Sequence, residues 1–190
     1  MTDNYFELLL RAKVSRLTDE ELESVVHDLT QLPLTESQQR QSLHILGLHD
    51  SASYRTIVEP FLHKKVVSLA KLALWILCTY WDLAEDYADD VLNFLKGVEW
   101  DQIDEIRITA ATIAGKYLSR LPNKALLEAL FTILENEQED SILRQVAYIS
   151  LLQAMGVPSL QLPQPSLETD IIDENHPLIH KARERVKNEI

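Results

Sequence analysis

The sequence has few cysteines, glycines and prolines. Its single cysteine, Cys78, cannot form an internal disulfide, so nothing in the chain requires an oxidising compartment. Only 4 glycines and 7 prolines among 190 residues leave little room for β-hairpins. Neither Gly-x-x-x-x-Gly-Lys-Ser/Thr nor Gly-x-Gly-x-x-Gly occurs, so the sequence does not encode a standard phosphate-binding loop.

Basic residues are also scarce, because 18 Lys and Arg stand against 30 Asp and Glu for a net charge of -12. This balance argues against binding to nucleic acid or to an anionic membrane, and it favours a cationic partner. The longest apolar run, residues 69–81, is interrupted by Lys71 and is too short to cross a bilayer. The first residues are acidic and lack the apolar core of a secretory signal. We therefore expect a soluble cytoplasmic protein.

What the chain does contain is a series of amphipathic helices, of which residues 106–117 are the clearest. Apolar side chains recur there at the spacing of one buried helix face: Ile106, Ala110, Ile113, Ala114 and Tyr117. Because several of these residues are small, a neighbouring helix can lie close against this one.

Helix-start and helix-stop signals predict the other elements. Thr18 and the capping box at residues 35–38 each begin a helix, and a further helix begins at Ser53 with Pro60 kinking its end. Further helices are predicted over residues 5–11, 64–80, 85–96, 122–134 and 141–155. Three prolines make residues 157–176, here called the proline-containing segment, an extended loop, and Pro177 begins a final helix.

A short pattern recurs in the second helix of successive pairs. Residues 39–43, 66–70, 106–110 and 143–147 share one layout, and a weaker copy ends at Ala182. The aligned positions, at residues 43, 70, 110, 147 and 182, are 27, 40, 37 and 35 residues apart. Paired helices that repeat at about 35–45 residues are typical of an α-solenoid.

This layout resembles HEAT-like repeats, in which an apolar-Arg-x-x-Ala pattern follows an aspartate. Here Arg107 with Asp104, and Arg144 with Asp140, match that pattern. The resemblance implies a structural ladder of Asp and Arg side chains along the solenoid. Arg40 matches only half of the pattern, and residue 67 is a valine, so the ladder is expected to break at the second repeat.

We predict an all-α fold, a short right-handed α-solenoid of about four HEAT-like helix pairs with helical caps. A single domain is expected over residues 1–190, with repeats over 18–155, the proline-containing segment, and a C-terminal capping helix over 177–190. The alternative is an irregular helical bundle in which small residues recur by chance.

An acidic stretch at residues 82–105 holds nine carboxylates against Lys96, with one tryptophan directly before it and a second within it. Aromatic anchors surrounded by charge are typical of fast, tight protein interfaces. The predicted protein-binding residues are Trp81, Asp82, Glu85, Asp86, Asp89, Asp90, Trp100, Asp101, Asp104 and Glu105. The alternative is that the acids form an ordinary solvated face and that the tryptophans fill the core.

No catalytic or metal-binding arrangement stands out in the sequence. Cys78 lies among apolar residues, where a thiol is inert. His176 and His180 have metal-like spacing, but Pro177 intervenes, and a solvated helix start is favoured over a zinc site. We predict no enzyme activity, no cofactor and no metal.

The leading hypothesis is a non-catalytic protein-binding module that is monomeric when free. It would neutralise a basic partner, such as a toxin or nuclease domain, in the manner of the immunity protein of a polymorphic toxin system. HEAT-like subunits of bilin lyases and general scaffold proteins are the alternative. Helical-repeat DNA glycosylases are a third class, but these need a basic groove.

Overall fold

The computed structural model describes residues 4–14, 17–49 and 52–187, and every regular element in these ranges is helical. The predicted all-α class is therefore confirmed for the described residues. Their α-helices are α1 (Asn4–Ala12), α2 (Asp19–Gln31), α3 (Glu36–Leu48), α4 (Arg55–Val58), α5 (Val67–Trp75), α6 (Ala88–Leu95), α7 (Glu105–Leu118), α8 (Lys124–Glu135), α9 (Ser141–Ala154) and α10 (Pro177–Lys187).

Contacts divide the chain into two compact units, Met1–Leu83 and Ala84–Ile190. The expectation of a single domain over residues 1–190 remains a prediction. The two units are described separately below.

In the first unit, α3 is central and packs against α1, α2 and α5. Both predicted capping signals are present as complete capping boxes, Thr18 with Glu21 at the start of α2 and Thr35 with Gln38 at the start of α3. Tyr5 of α1 donates a hydrogen bond of 2.7 Å to Asp28 of α2, so a polar contact adds to the apolar packing of this unit.

The predicted helix over residues 64–80 is shorter and changes type. Lys65 has a positive φ of 53°, which an α-helix does not allow, so α5 begins only at Val67. After Trp75 the chain forms a π-helical turn over Ile76–Tyr80. The predicted helix at Ser53 is also irregular, because α4 is flanked by 3₁₀ turns at Ala52–Tyr54 and Glu59–His63.

The second unit is built from two helical hairpins, α6 with α7 and α8 with α9. The first helices of the two hairpins contact each other, as do the second helices, and α10 packs against α8 and α9. Predicted and observed limits of α9 agree to one residue. The helix predicted from residue 85 begins only at Ala88, after a turn over residues 84–87.

The close approach predicted for residues 106–117 is present between α7 and α9. All five residues of the predicted face are buried. Gly115 lies so near α9 that a Cβ atom there would be 2.7 Å from the Cα of Ser150. Only a hydrogen at this position therefore allows the two helices their observed distance.

Candidate functional site

The predicted binding residues are divided between the two units. Trp81 and Asp82 belong to the first unit, and the other eight residues belong to the second. The predicted surface is therefore considered in two parts.

Trp81 is not a surface anchor, and the sequence-based prediction is wrong for this residue. Its side chain is buried, with 7% of the residue exposed, and its indole N–H donates to the backbone oxygen of His49 at 3.3 Å. The backbone N–H of Trp81 also donates to Ile76 across the π turn. Trp81 fills the core of the first unit, which was the alternative interpretation. Asp82 next to it is exposed and has a positive φ of 55°.

The acids at the start of α6 lie on the surface of the second unit. Glu85, Asp86 and Asp89 are exposed, and Asp90 is half-buried. Asp89 and Asp90 are in the first turn of α6, where the partial positive charge of the helix N-terminus favours carboxylates. This arrangement places four negative charges within six residues.

The loop between α6 and α7 adds apolar surface beside another acid. Trp100 is half-buried, and its ring packs edge-on against Phe94 with 6.3 Å between ring centroids. Ile103 is 71% exposed, and Glu99 is exposed in the same loop. Ile103 was not among the predicted binding residues. It is an apolar residue within the acidic stretch, and it belongs to no predicted helix face.

Asp101 is a structural residue, which corrects its assignment to the docking surface. Only 6% of the residue is exposed. Its carboxylate accepts hydrogen bonds from the backbone N–H groups of Glu105, Ile106 and Arg107 at 3.0, 2.8 and 3.2 Å. These three groups begin α7 and have no acceptors within the helix. The Asp101 carboxylate is therefore committed to the helix start.

Arg107 connects the α6–α7 hairpin to the turn that precedes α9. Its guanidinium lies 3.1 Å from Asp104 and makes two bonds to Glu139, at 2.7 and 2.9 Å. Its Nε donates to the backbone oxygen of Leu95 at 3.2 Å. The hydrogen bond from Arg107 lowers the pKa of Glu139, and the bond to Glu139 raises the pKa of Arg107. Asp104 is thereby held by Arg107, and so it is part of the hairpin rather than a residue free for a partner.

One of the two predicted Asp–Arg pairs is present, and its arginine also binds an acid that was not predicted. Arg107 pairs with Asp104 as expected, but its contact to the next hairpin is with Glu139, which was missed. Asp140 does not pair with Arg144. Its carboxylate instead accepts from the first backbone N–H groups of α9. Arg144 donates to the oxygen of Leu134 and lies 3.8 Å from Glu174.

We use the name acidic surface for a set of exposed and half-buried residues at the start of α6 and in the loop that follows it. It comprises half-buried Trp100, exposed Ile103 and the carboxylates of Glu85, Asp86, Asp89, Asp90 and Glu99. Glu105 is half-buried at the edge of α7. Such a set can attract and hold cationic groups, and Trp100 and Ile103 can supply apolar contact area.

Within residues 4–14, 17–49 and 52–187, no three His, Cys, Asp or Glu side chains converge so that they could hold a metal ion. Cys78 is buried. The Nδ1 atom of His176 accepts from the N–H of Leu178 at the start of α10, a helix-start role rather than ligation.

No protein-family model matches the chain, and no curated protein or solved structure is significantly similar to it. Over the described part of the chain, no helix combines the length and the apolar character that a bilayer crossing requires.

Proposed function

We propose that the chain is a non-catalytic binding module that docks a basic protein through the acidic surface of its second unit. The observation that carries this proposal is that four carboxylates lie within six residues at the start of α6, and that the loop after α6 presents Glu99, a half-buried indole and an exposed isoleucine. Lys96 is the only basic residue in the stretch from Asp82 to Glu105. The sequence of this stretch therefore carries a large excess of negative charge.

A cationic protein is the partner that this chemistry fits best. Opposite charge accelerates encounter and disfavours acidic competitors, whereas the apolar side chains supply most of the short-range affinity. A protein that binds nucleic acid carries a basic cleft for phosphates, and carboxylates can take the positions of those phosphates. We therefore propose a nuclease or toxin domain as the partner class, which would make this chain an inhibitor of the immunity type.

We also infer that the two hairpins of the second unit are HEAT-like repeats. Two features support this inference. The second helices α7 and α9 contact each other, as do the first helices α6 and α8. In each hairpin an arginine of the second helix, Arg107 or Arg144, donates its Nε to a backbone oxygen in the last turn of the first helix. The expectation of about four stacked pairs in a right-handed solenoid remains a proposal.

Affinity capture with three versions of the chain tests the proposed docking. The immobilised wild-type chain is exposed to an extract of its own organism at about 0.05 M salt and eluted at about 0.5 M, where surface electrostatics are screened. The surface variant is Glu85→Lys/Asp89→Lys/Glu99→Lys. The matched control is Glu137→Lys/Glu168→Lys/Glu184→Lys, which changes the net charge equally at other exposed positions of the second unit.

We expect a basic protein that the wild-type chain and the control retain and that the surface variant loses. If all three chains retain the same proteins, charge alone governs capture and no docking surface exists at α6. Circular dichroism of each variant checks that helix content is unchanged.

A further inference from the structure

One buried side chain of α9 makes two hydrogen bonds to the backbone of the proline-containing segment. Gln145, of which 1% is exposed, donates from Nε2 to the backbone oxygen of Ser166 at 2.9 Å. The backbone N–H of Ser166 donates back to Oε1 of Gln145 at 2.8 Å. The glutamine amide thus satisfies both backbone groups of one residue, as a neighbouring β-strand would.

This recognition does not depend on the identity of residue 166. Both bonds go to main-chain atoms, which every residue except proline presents in the same form. A buried amide without partners is costly, and in the described residues Gln145 has only Ser141 as a further partner, at 3.3 Å. Gln145 is therefore suited to hold any extended backbone laid across α9.

The side chains of the segment contribute little to this attachment. Leu160 and Leu167 are 101% and 89% exposed, and Leu162 and Pro163 are only half-buried. A cavity of about 260 Å³ lies between the segment and the helices, lined by Thr112 of α7 and by Ile149 and Gln153 of α9 among others. The side chains of the segment therefore leave part of the space above α7 and α9 unfilled.

The segment contains a 3₁₀ turn over Ser159–Gln161, and the residues on either side of this turn have the backbone conformation of a proline-rich ligand. Pro158 has φ -60° and ψ 142°, and Leu162 has φ -69° and ψ 137°, close to polyproline II geometry. Pro163 and Pro165 restrict the backbone before Ser166. Peptides of this kind bind at low entropic cost, because they are extended before they bind.

We propose that the α7–α9 face beneath the segment is a groove for an extended, proline-containing peptide of another protein. The chain's own proline-containing segment occupies this groove and is displaced when the peptide binds. Gln145 is the backbone clamp in both states. This groove is distinct from the acidic surface, and the proposal does not depend on a basic partner.

Displacement requires that the segment be weakly held, and its other attachments are modest. Arg144 lies 3.8 Å from Glu174, which is exposed. Tyr148, a buried side chain of α9, accepts a backbone hydrogen bond from Asp173 near the end of the segment, and burial, followed by the negative charge of Asp173, raises its pKa. Because the segment is tethered, it competes at an effective concentration on the order of millimolar. The intact chain should therefore bind a free peptide poorly until the segment is loosened.

The test uses a fluorescent synthetic peptide with the sequence of residues 157–169 and fluorescence anisotropy. Ser166→Pro in the full chain removes the N–H that bonds to Gln145 and leaves the groove residues unchanged. Ser166→Ala keeps that N–H and is the matched control. We expect Ser166→Pro to bind the peptide at least tenfold more tightly than wild type, and Ser166→Ala to bind like wild type.

Two further measurements assign the binding to the clamp. Adding Gln145→Leu to Ser166→Pro should weaken peptide binding about tenfold. A peptide with proline at position 166 should lose a similar factor, since each change removes hydrogen bonding between residue 145 of the chain and residue 166 of the peptide. If Ser166→Pro lowers helix content, a variant with a Gly/Ser sequence of equal length at residues 158–167 replaces it.

The proposed groove is wrong if the Ser166→Pro chain binds the peptide no better than wild type does. It is also wrong if Gln145→Leu has no effect on peptide binding. A segment-exchanged dimer of the opened chain that excludes the peptide, seen by size-exclusion chromatography, also overturns it. The variant Glu85→Lys/Asp89→Lys/Glu99→Lys should leave peptide binding unchanged, so the two proposals fail independently.

Discussion

Arg107 and Glu139 form a two-point ion pair between the α6–α7 hairpin and the turn that begins α9. The Nη1–Oε2 and Nη2–Oε1 distances are 2.7 and 2.9 Å. Both side chains are largely buried, with 13% and 19% exposed. Because the same guanidinium also bonds to Asp104 and to the oxygen of Leu95, one side chain connects four parts of the second unit.

Arg107→Ala should lower the free energy of unfolding by about 2–4 kcal/mol, since it leaves two carboxylates and a carbonyl without their donor. Arg144→Ala is the matched variant in the other hairpin. It should cost only about 1 kcal/mol, because Arg144 makes one short hydrogen bond and one long contact. Urea unfolding followed by circular dichroism measures both. Equal losses of unfolding free energy in the two variants would show that the ion pair between Arg107 and Glu139 adds nothing to stability.

The same pair should make stability depend on acid pH. Hydrogen bonding from Arg107 holds the pKa of Glu139 below its ordinary value, so the stabilisation is present above that value and is lost as pH falls through the lowered pKa. Glu139→Gln removes this titration. The difference in unfolding free energy between wild type and Glu139→Gln should therefore shrink as pH falls below about 4.3, the ordinary glutamate value. A difference that stays constant with pH would contradict the lowered pKa.

Asp101→Ala should destabilise the second unit more than Asp140→Ala does. Asp101 is buried and accepts three backbone N–H groups of α7, so its loss should cost about 2–4 kcal/mol. Asp140 is an exposed N-cap of α9, for which about 1 kcal/mol is typical. Thermal unfolding of the two variants gives the comparison. If Asp140→Ala lost more stability than Asp101→Ala, Asp101 would not be essential to the start of α7 and would again be a candidate for contact with a partner.

Gly115→Ala should lower stability by about 1–3 kcal/mol, because its Cβ would meet the backbone of α9 at Ser150. Gly47→Ala is a useful comparison, since a Cβ atom there would lie 2.6 Å from Cγ1 of the buried Ile76, and shifting one side chain costs less than moving the backbone of a helix. We expect the smaller loss at Gly47. Chemical denaturation of both variants measures the difference, and no loss at Gly115 would mean that α7 and α9 separate at little cost.

Local signals in the sequence predicted much of the helical structure. The caps at Thr18 and Thr35 depend on residues three positions away, and the buried face of α7 depends on its own spacing. The predicted helix limits were wrong where the backbone adopts a conformation that the local residue types do not favour. Lys65 adopts a positive φ that its residue type does not indicate, and the π turn after Trp75 has no distinctive composition.

The binding residues were harder to predict, because burial depends on contacts between distant residues. The indole of Trp81 bonds to a residue 32 positions earlier, and Arg107 bonds to one 32 positions later. Neither contact follows from helical periodicity. Asp101 lies before α7 at a spacing that reaches three amides at once, so a carboxylate read as surface charge is instead part of the helix start.

The most direct test of the central proposal is calorimetric titration of the captured basic protein against three chains, each at about 0.05 and 0.2 M salt. These are wild type, Glu85→Lys/Asp89→Lys/Glu99→Lys and Glu137→Lys/Glu168→Lys/Glu184→Lys. We predict that, at the lower salt, Glu85→Lys/Asp89→Lys/Glu99→Lys loses affinity by at least tenfold and the other variant does not. The affinity of the wild-type chain should fall as salt rises. Capture of no basic protein, or one dissociation constant for all three chains, would contradict docking at the acidic surface.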